Sequence, residues 1–405
     1  MNKQWVYLFI GNFAGVFNDN LLKNAIIFIA IGWILPEWLD RSQLIALVSA
    51  ALVLPYLILS PLGGKWAVRY SRLRVFRFFK LLEFPIMVLA SVAFVFENVF
   101  LALISVLLMG IQSCLYSPAK YGLIRDIGGV DGSARGSGIF EAMAFGGILA
   151  GTVVAAWLSD HYNAWWLVVC FMLLALVGYW SVRQIRVEEY EGDAHLSGSI
   201  RLNPLHFIRS SYRLATQFRG INKAVAGIAF FWMVGGMLQM NIVIHSTSVL
   251  NLPNSSTGII MSLAAVGIIT GNWLAGVLQH RTGKAGMITG GITGMTLGFL
   301  LLCFVPLNAY GFVVVVCLLA MSGGFYQVPW LTFIQQTESG QRSGQLLAYM
   351  NIMVFVFVLL GTMLFSLVNV VRPESSFLVF FVLLLLSAGM LLYTVIYLHR
   401  KKIFI

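Results

Sequence analysis

The sequence predicts an all-α membrane protein of twelve transmembrane helices, arranged as two pseudo-symmetric six-helix bundles with both termini cytoplasmic. Three observations carry this expectation: long apolar runs, a one-sided distribution of Lys and Arg, and an internal repeat. Of the 405 residues, 59% are hydrophobic and 10% are charged, whereas a soluble domain is about 25% charged. So little charge cannot cover a water-facing particle of this size, so much of the surface must face lipid. The formal net charge of +11 sits in short gaps between apolar runs. That distribution argues against a nucleic-acid partner and for a membrane.

A helix needs about 20 apolar residues to cross the hydrocarbon core. Twelve candidate spans lie at roughly 5–35, 43–62, 75–96, 99–119, 135–158, 163–183, 224–250, 257–279, 285–306, 309–334, 342–369 and 376–398. The first is too long for the apolar segment of a cleaved leader and reads as a retained helix. The eleven Trp and thirty Phe fit aromatic girdles at the lipid boundary. The four cysteines all lie within apolar runs and read as small core residues.

Orientation follows from the basic residues. Lys65, Arg69, Arg72, Arg74, Arg77 and Lys80 cluster after the second span, Lys120, Arg125 and Arg135 after the fourth, and Arg281 and Lys284 after the eighth. The C-terminus reads His399-Arg400-Lys401-Lys402, while the alternate gaps are short and nearly uncharged. The positive-inside rule then puts both termini in the cytoplasm, which an even number of spans permits.

Residues 184–222 form the longest polar stretch and divide the chain into an N-terminal bundle, 1–183, and a C-terminal bundle, 223–405. Within this linker Leu205, Ile208, Tyr212 and Ala215 recur at helical spacing beside His206, Arg209 and Arg213. That pattern suits either a helix lying on an anionic leaflet or a solvated linker.

The two halves echo each other. Glu141 and Gly151-Thr152 stand 210 residues before Asn351 and Gly361-Thr362, and Pro118 and Pro329 fall late in the fourth and tenth spans. Two homologous six-helix bundles are the architecture of the major facilitator superfamily, whose substrates sit near the midplane between rocking halves.

An ionisable residue at membrane depth costs about 2.5–3.5 kcal/mol on insertion scales, so each one is a functional candidate. Asp19, flanked by Asn18 and Asn20, lies halfway along the first span, with Lys23 one turn on. They could form a headgroup or coupling-ion site, or a neutral pair that ties the helix to a neighbour. Glu141 lies early in the fifth span beside Gly146, Gly147 and Gly151, which allow close helix contact. It suits either a proton or cation site or a cap. Lys120 is either a phosphate partner or a product of the positive-inside rule. Glu83 can pair with Lys80 by helical spacing and reads as structural. Gln239, Asn241 and His245 put a polar stripe on the seventh span.

The chain carries no phosphate-binding GxxxxGK[ST] loop, no GxSxG elbow and no HExxH helix. No cofactor, no metal and no enzymatic activity are expected.

Two short motifs sharpen the expectation. Tyr116-Ser117-Pro118-Ala119-Lys120-Tyr121-Gly122, together with Phe17-Asn18-Asp19-Asn20, resembles the bacterial lysophospholipid transporter family of the major facilitator superfamily. Glu141 and Asn351 fit that family's fifth and eleventh helices. The resemblance implies a multi-pass protein of the bacterial inner membrane that flips lysophospholipids from the outer to the inner leaflet. A separate cytoplasmic acyltransferase would then reacylate them.

On this reading Asp19, Asn20, Lys120 and Gln239 contact the substrate, and Lys23, Glu141 and Asn351 serve gating or coupling. Gln239 stands where the family carries a basic residue, so it can hydrogen-bond a phosphate without balancing its charge. Arg69 stands where the superfamily commonly has Asp. Two other functions remain open on the residues alone. One is a proton-coupled carrier of another amphipathic solute, and the other is a membrane sensor or scaffold that moves nothing.

Overall fold

The computed structural model describes residues 3–37, 39–188, 192–372 and 375–396. The basic run His399–Lys402, and Glu189 and Glu191 of the linker, lie outside them. The described residues fold into helices: α1 (Lys3–Phe28), α2 (Arg41–Arg69), α3 (Arg72–Val95), α4 (Val99–Asp160), α5 (Ala164–Arg183), the short α6 (Ala194–Gly198), α7 (Pro204–Thr216), α8 (Ile221–Ile244), α9 (Asn254–Phe304), α10 (Ala309–Gln336), α11 (Ser343–Val371) and α12 (Ser376–Thr394).

Helix starts follow local chemistry. Asp40 caps α2 in a reciprocal box with Gln43, and Ser71, Asn98, Asn163 and Asn308 cap α3, α4, α5 and α10 through their side chains. Nine helices among the described residues are long and apolar enough to cross a membrane. The polar α1, with Asn12, Asn18, Asp19, Asn20, Lys23 and Asn24, is not one of them. Several of its residues are instead shielded by neighbouring helices.

Two expected loops are absent. The spans expected at 99–119 and 135–158 join in α4, where helical structure is broken only at Gly129 (φ 62°, ψ −161°). Those expected at 257–279 and 285–306 join in α9 across Gly283 (φ 70°, ψ 160°). A residue with these angles must be glycine, because a Cβ would clash with its own backbone. The chain therefore turns on one residue where a loop was expected.

The chain divides into two compact units. The first comprises Met1–Gly129, Gly146–Leu214 and Glu338–Ile352; the second comprises Val130–Phe145, Ala215–Thr337 and Met353–Ile405. In the first, α5 packs on α1 and α3 over a core that includes Leu21, Ile26, Phe94, Met109 and Phe171. Close approach there depends on glycine: a Cβ on Gly151 would stand 2.7 Å from the Phe17 carbonyl oxygen. In the second unit α9 packs along α10 and α12, and Phe230, Tyr326 and Trp330 form an edge-to-face aromatic series.

Large apolar side chains remain uncovered, as lipid contact demands. Trp157, Trp165 and Trp166 stand exposed around the α4–α5 junction, and Phe304 and Tyr310 around the α9–α10 junction, an arrangement that fits interfacial girdles. The amphipathic stretch of the linker is helical, as α7. Phe207, Ser211, Leu214 and Ala215 are buried, while Leu205 is 79% exposed and Tyr212 is exposed beside Arg209 and Arg213. On the buried side Gln345 Nε2 donates to Ser211 Oγ (3.0 Å).

Candidate functional site

The first unit holds a chain of buried polar groups on α1, α3 and α4. Lys80 Nζ pairs with Glu83 Oε2 at 2.6 Å, one helical turn apart, and both side chains are fully buried. The other Glu83 oxygen accepts from Asn18 Nδ2 at 2.7 Å. Gly15 and Gly178 flank the ammonium; a Cβ on Gly178 would come within 3.0 Å of it. The sequence-based expectation of a structural Lys80–Glu83 pair therefore holds, and the pair reaches α1 through Asn18. A buried pair is stable only when its spare lone pairs and protons are met, and Asn18 supplies that to Glu83.

Asp19 follows Asn18 on α1. Ser113 Oγ, on α4, donates to its Oδ2 at 2.7 Å. Helical spacing allows an Asp19–Lys23 pair, but no such pair forms; the hydroxyl of Ser113 takes the carboxylate instead. Asn20 donates its amide to Val16 of its own helix (2.9 Å). Asn24 donates to Thr152 Oγ1 (2.9 Å), fixing α1 against the far part of α4.

Lys120 stands over the Tyr116 ring, 5.3 Å from its centroid, and near the Tyr121 ring at 5.7 Å. Tyr116 is itself stacked on Phe76 at 5.3 Å. One residue further along, Ser117 accepts from Asn351 Nδ2 at 2.9 Å, which ties the start of α11 to α4. Arg72 pairs with Asp126 at 2.5 Å and also donates to Ser343 Oγ. Segment 338–352 is thus pinned by polar contacts at Ser343, Gln345 and Asn351.

In the second unit Glu141 is buried and accepts from Gln327 Nε2 at 3.1 Å. Segment 130–145 is further held by Gln336 Nε2 donating to the Val130 carbonyl (2.7 Å) and by Phe145 stacking on Trp232 (5.6 Å). Asn272 is fully buried beside Gly138, and its side-chain amide has no hydrogen-bond partner among the described residues. Gln239 is exposed. Asn241 and His245 do not continue its stripe. Asn241 Nδ2 donates to the Ser376 carbonyl (3.0 Å), and His245 bonds Ser376 Oγ (2.9 Å) between Phe312 and Phe380. Those two residues tie α8 to α12.

The structure thus brings Asp19 together with Ser113, Asn351 with Ser117, and Glu141 with Gln327. Ser113 and Gln327 were not singled out from the sequence, and Ser117 entered only as part of a motif, because a Ser or Gln in an apolar run is usually satisfied by its own helix. Their partners across helices are visible only in three dimensions.

Comparison with known proteins bears on the family and the fold. The sequence pattern of the Major Facilitator Superfamily matches residues 8–362. The lysophospholipid transporter LplT of Photorhabdus laumondii is 28% identical over 89% of this chain and 87% of its own length. LplT of Cronobacter sakazakii is 27% identical over 85% of this chain and 83% of its own. Among solved structures, the human organic anion transporter TETRAN superposes with a TM-score of 0.76 at 12% identity, covering 96% of this chain and 99% of that one. The transporter FucP in its outward conformation also gives 0.76 at 12% identity, covering 97% and 98%. At such identities the structural likeness speaks for the fold alone.

Proposed function

Because the chain belongs to the major facilitator superfamily, we propose that it flips lysophospholipids from the outer to the inner leaflet of a bacterial inner membrane by alternating access. The topology in this reading is twelve spans with both termini cytoplasmic. It comprises the nine apolar helices, two of them each counted as two spans across Gly129 and Gly283, together with α1. The N-terminal bundle is 1–183, the cytoplasmic linker 184–222 and the C-terminal bundle 223–405. The relatives named for lysophospholipid transport cover most of the chain at 27–28% identity, and the Ser117-Pro118-Ala119-Lys120 segment supports the same substrate.

The single observation that carries the reading is Asp19. It is a carboxylate within α1, met by one hydroxyl from α4, while the neighbouring Lys80–Glu83–Asn18 chain is internally paired. A cationic amine on the headgroup would bind at Asp19, with Asn20 beside it. Lys120 and Gln239 would receive the phosphate, the first by charge and the second by hydrogen bonding. The acyl chain needs no polar site, since it stays in an apolar environment throughout.

Gating is assigned to the two exchanged segments. Residues 130–145 come from the N-terminal half and pack in the second unit, and 338–352 come from the C-terminal half and pack in the first. The Glu141–Gln327 and Asn351–Ser117 bonds hold them. Release of 130–145 would let water reach Asn272, recovering the cost of its buried amide. Lys23, one turn from Asp19, is placed in the coupling path. The reacylating partner in this scheme is a separate cytoplasmic acyltransferase.

The test is Asp19→Asn, which keeps the size and removes the charge. Inward transfer of lysophosphatidylethanolamine should fall at least tenfold, with membrane levels of the protein unchanged. Transfer at the original rate would remove Asp19 from the substrate site. Transfer that survives but loses a dependence on outside pH would favour the proton-coupled carrier instead.

A further inference from the structure

The second unit carries a groove that the transport reading does not use. A cavity of ≈ 250 Å³ opens between α8 and α12 over α10, lined chiefly by Phe230, Trp330, Leu386 and Met390, with Lys223 and Tyr393 at one end. We propose that this groove is a binding site for an anionic diacyl phospholipid of the surrounding bilayer, with its phosphate on Lys223 and Tyr393 and one acyl chain along the aromatic floor.

The order of residues along the helices gives the groove a direction. Lys223 is in the first turn of α8, and Gly227 and Phe230 follow on the same face. On the antiparallel α12 the matching face reads Leu386, Gly389-Met390 and Tyr393, with Tyr393 in the last turn. Lys223 and Tyr393 therefore both line the groove near helix ends, where a spanning helix meets the headgroups. The apolar lining runs inward from them over about 10 Å, the rise of seven helical residues. A phospholipid has the same order, polar at the boundary and aliphatic within.

The shape suits one chain. Its volume lies just below the roughly 300–1,000 Å³ of pockets that enclose whole small ligands, so the groove takes part of a lipid and leaves the rest in the bilayer. Phe230 and Trp330 are buried and form its floor. A Cβ on Gly227 would stand 2.6 Å from Trp330 Nε1, so glycine is what lets the indole lie against α8. Gly389 is exposed at the rim with no atom within 4 Å of where its Cβ would stand, so the groove is open on that side.

The charge selects the headgroup. Among the described residues, no carboxylate lines the groove and Lys223 is its one charged group. Basic pockets between membrane helices hold anionic headgroups in this way. A lysine that merely snorkels to the boundary would have no reason to share an acyl-sized slot with a phenol.

The test uses the full chain purified in detergent, with its thermal midpoint followed as phosphatidylglycerol or phosphatidylcholine is added. Phosphatidylglycerol should raise the midpoint more than phosphatidylcholine does. In Lys223→Gln, and in Gly389→Leu, which fills the rim, half-maximal response should need at least tenfold more phosphatidylglycerol. Lys223→Arg should respond like the parent protein, which keeps the charge test decisive even where Gly389→Leu fails to fold. Equal responses to the two lipids, or an unchanged response in Lys223→Gln, would overturn the site. Single-chain lysophosphatidylglycerol acting at the same concentration as the diacyl lipid would overturn the assigned occupant.

Discussion

Asp19 and Glu83 are both carboxylates inside the first unit, yet they have opposite settings. Glu83 has a lysine and an amide, and Asp19 has a serine hydroxyl. Removing one member of a buried pair strands the other charge, at about 3–5 kcal/mol, whereas replacing both by apolar groups can be neutral. Glu83→Ala should therefore lower the thermal midpoint sharply or abolish expression. Lys80→Met combined with Glu83→Leu should recover most of that loss. A double variant as unstable as the single one would show that the pair is required for more than mutual neutralisation. Asp19, Lys120, Glu141 and Asn351 stood out in the sequence as candidates because ionisable or amide groups are conspicuous in apolar runs. The partners Ser113 and Ser117 did not, since nothing in a linear sequence marks which serine faces another helix. The seventh-span stripe was misleading for the same reason: Asn241 and His245 share a helix with Gln239 but bond Ser376 of α12.

Among the elements, the two glycine hinges are the features that composition hid. Gly129 and Gly283 hold backbone angles that cost other residues about 1–3 kcal/mol. Gly129→Ala and Gly283→Ala should each lower the thermal midpoint, while Gly286→Ala, where no neighbour lies within 4 Å, should change it little. Midpoints of all three variants in detergent check this, and equal effects would mean that the hinge angles carry no special cost. The gap 120–134 expected between the fourth and fifth spans is helical except at Gly129, and just beyond it Gly138 lets its helix lie against Gly276 of α9. The starts of α2, α3, α4, α5 and α10 are fixed locally, by the caps at Asp40, Ser71, Asn98, Asn163 and Asn308. On α7, by contrast, Ser211 meets Gln345, a partner more than a hundred residues away that helical spacing does not reveal.

Taken as a whole, the molecule was legible where the bilayer constrains it. Apolar length and hydropathy indicated an all-helical membrane protein, which the superfamily match bears out, and the repeat of Glu141 with Asn351 suggested two related halves. What the sequence hid is the exchange of segments: 130–145 and 338–352 pack with the opposite halves, and no periodicity encodes that. If these segments are the gate, weakening one of their bonds should expose them. In a background without the four native cysteines, Leu347→Cys, at a buried position, should react slowly with a water-soluble thiol reagent and several-fold faster once Asn351→Ala is added. An unchanged rate would remove the Asn351–Ser117 bond from gating.

The central claim, a lysophospholipid flippase, is tested most directly by uptake of labelled lysophosphatidylethanolamine into spheroplasts with and without this protein, over a range of outside pH. The account predicts uptake that requires the protein and is insensitive to pH. Intact protein in the membrane with no uptake above the protein-free control would contradict it, leaving the superfamily fold with a different substrate.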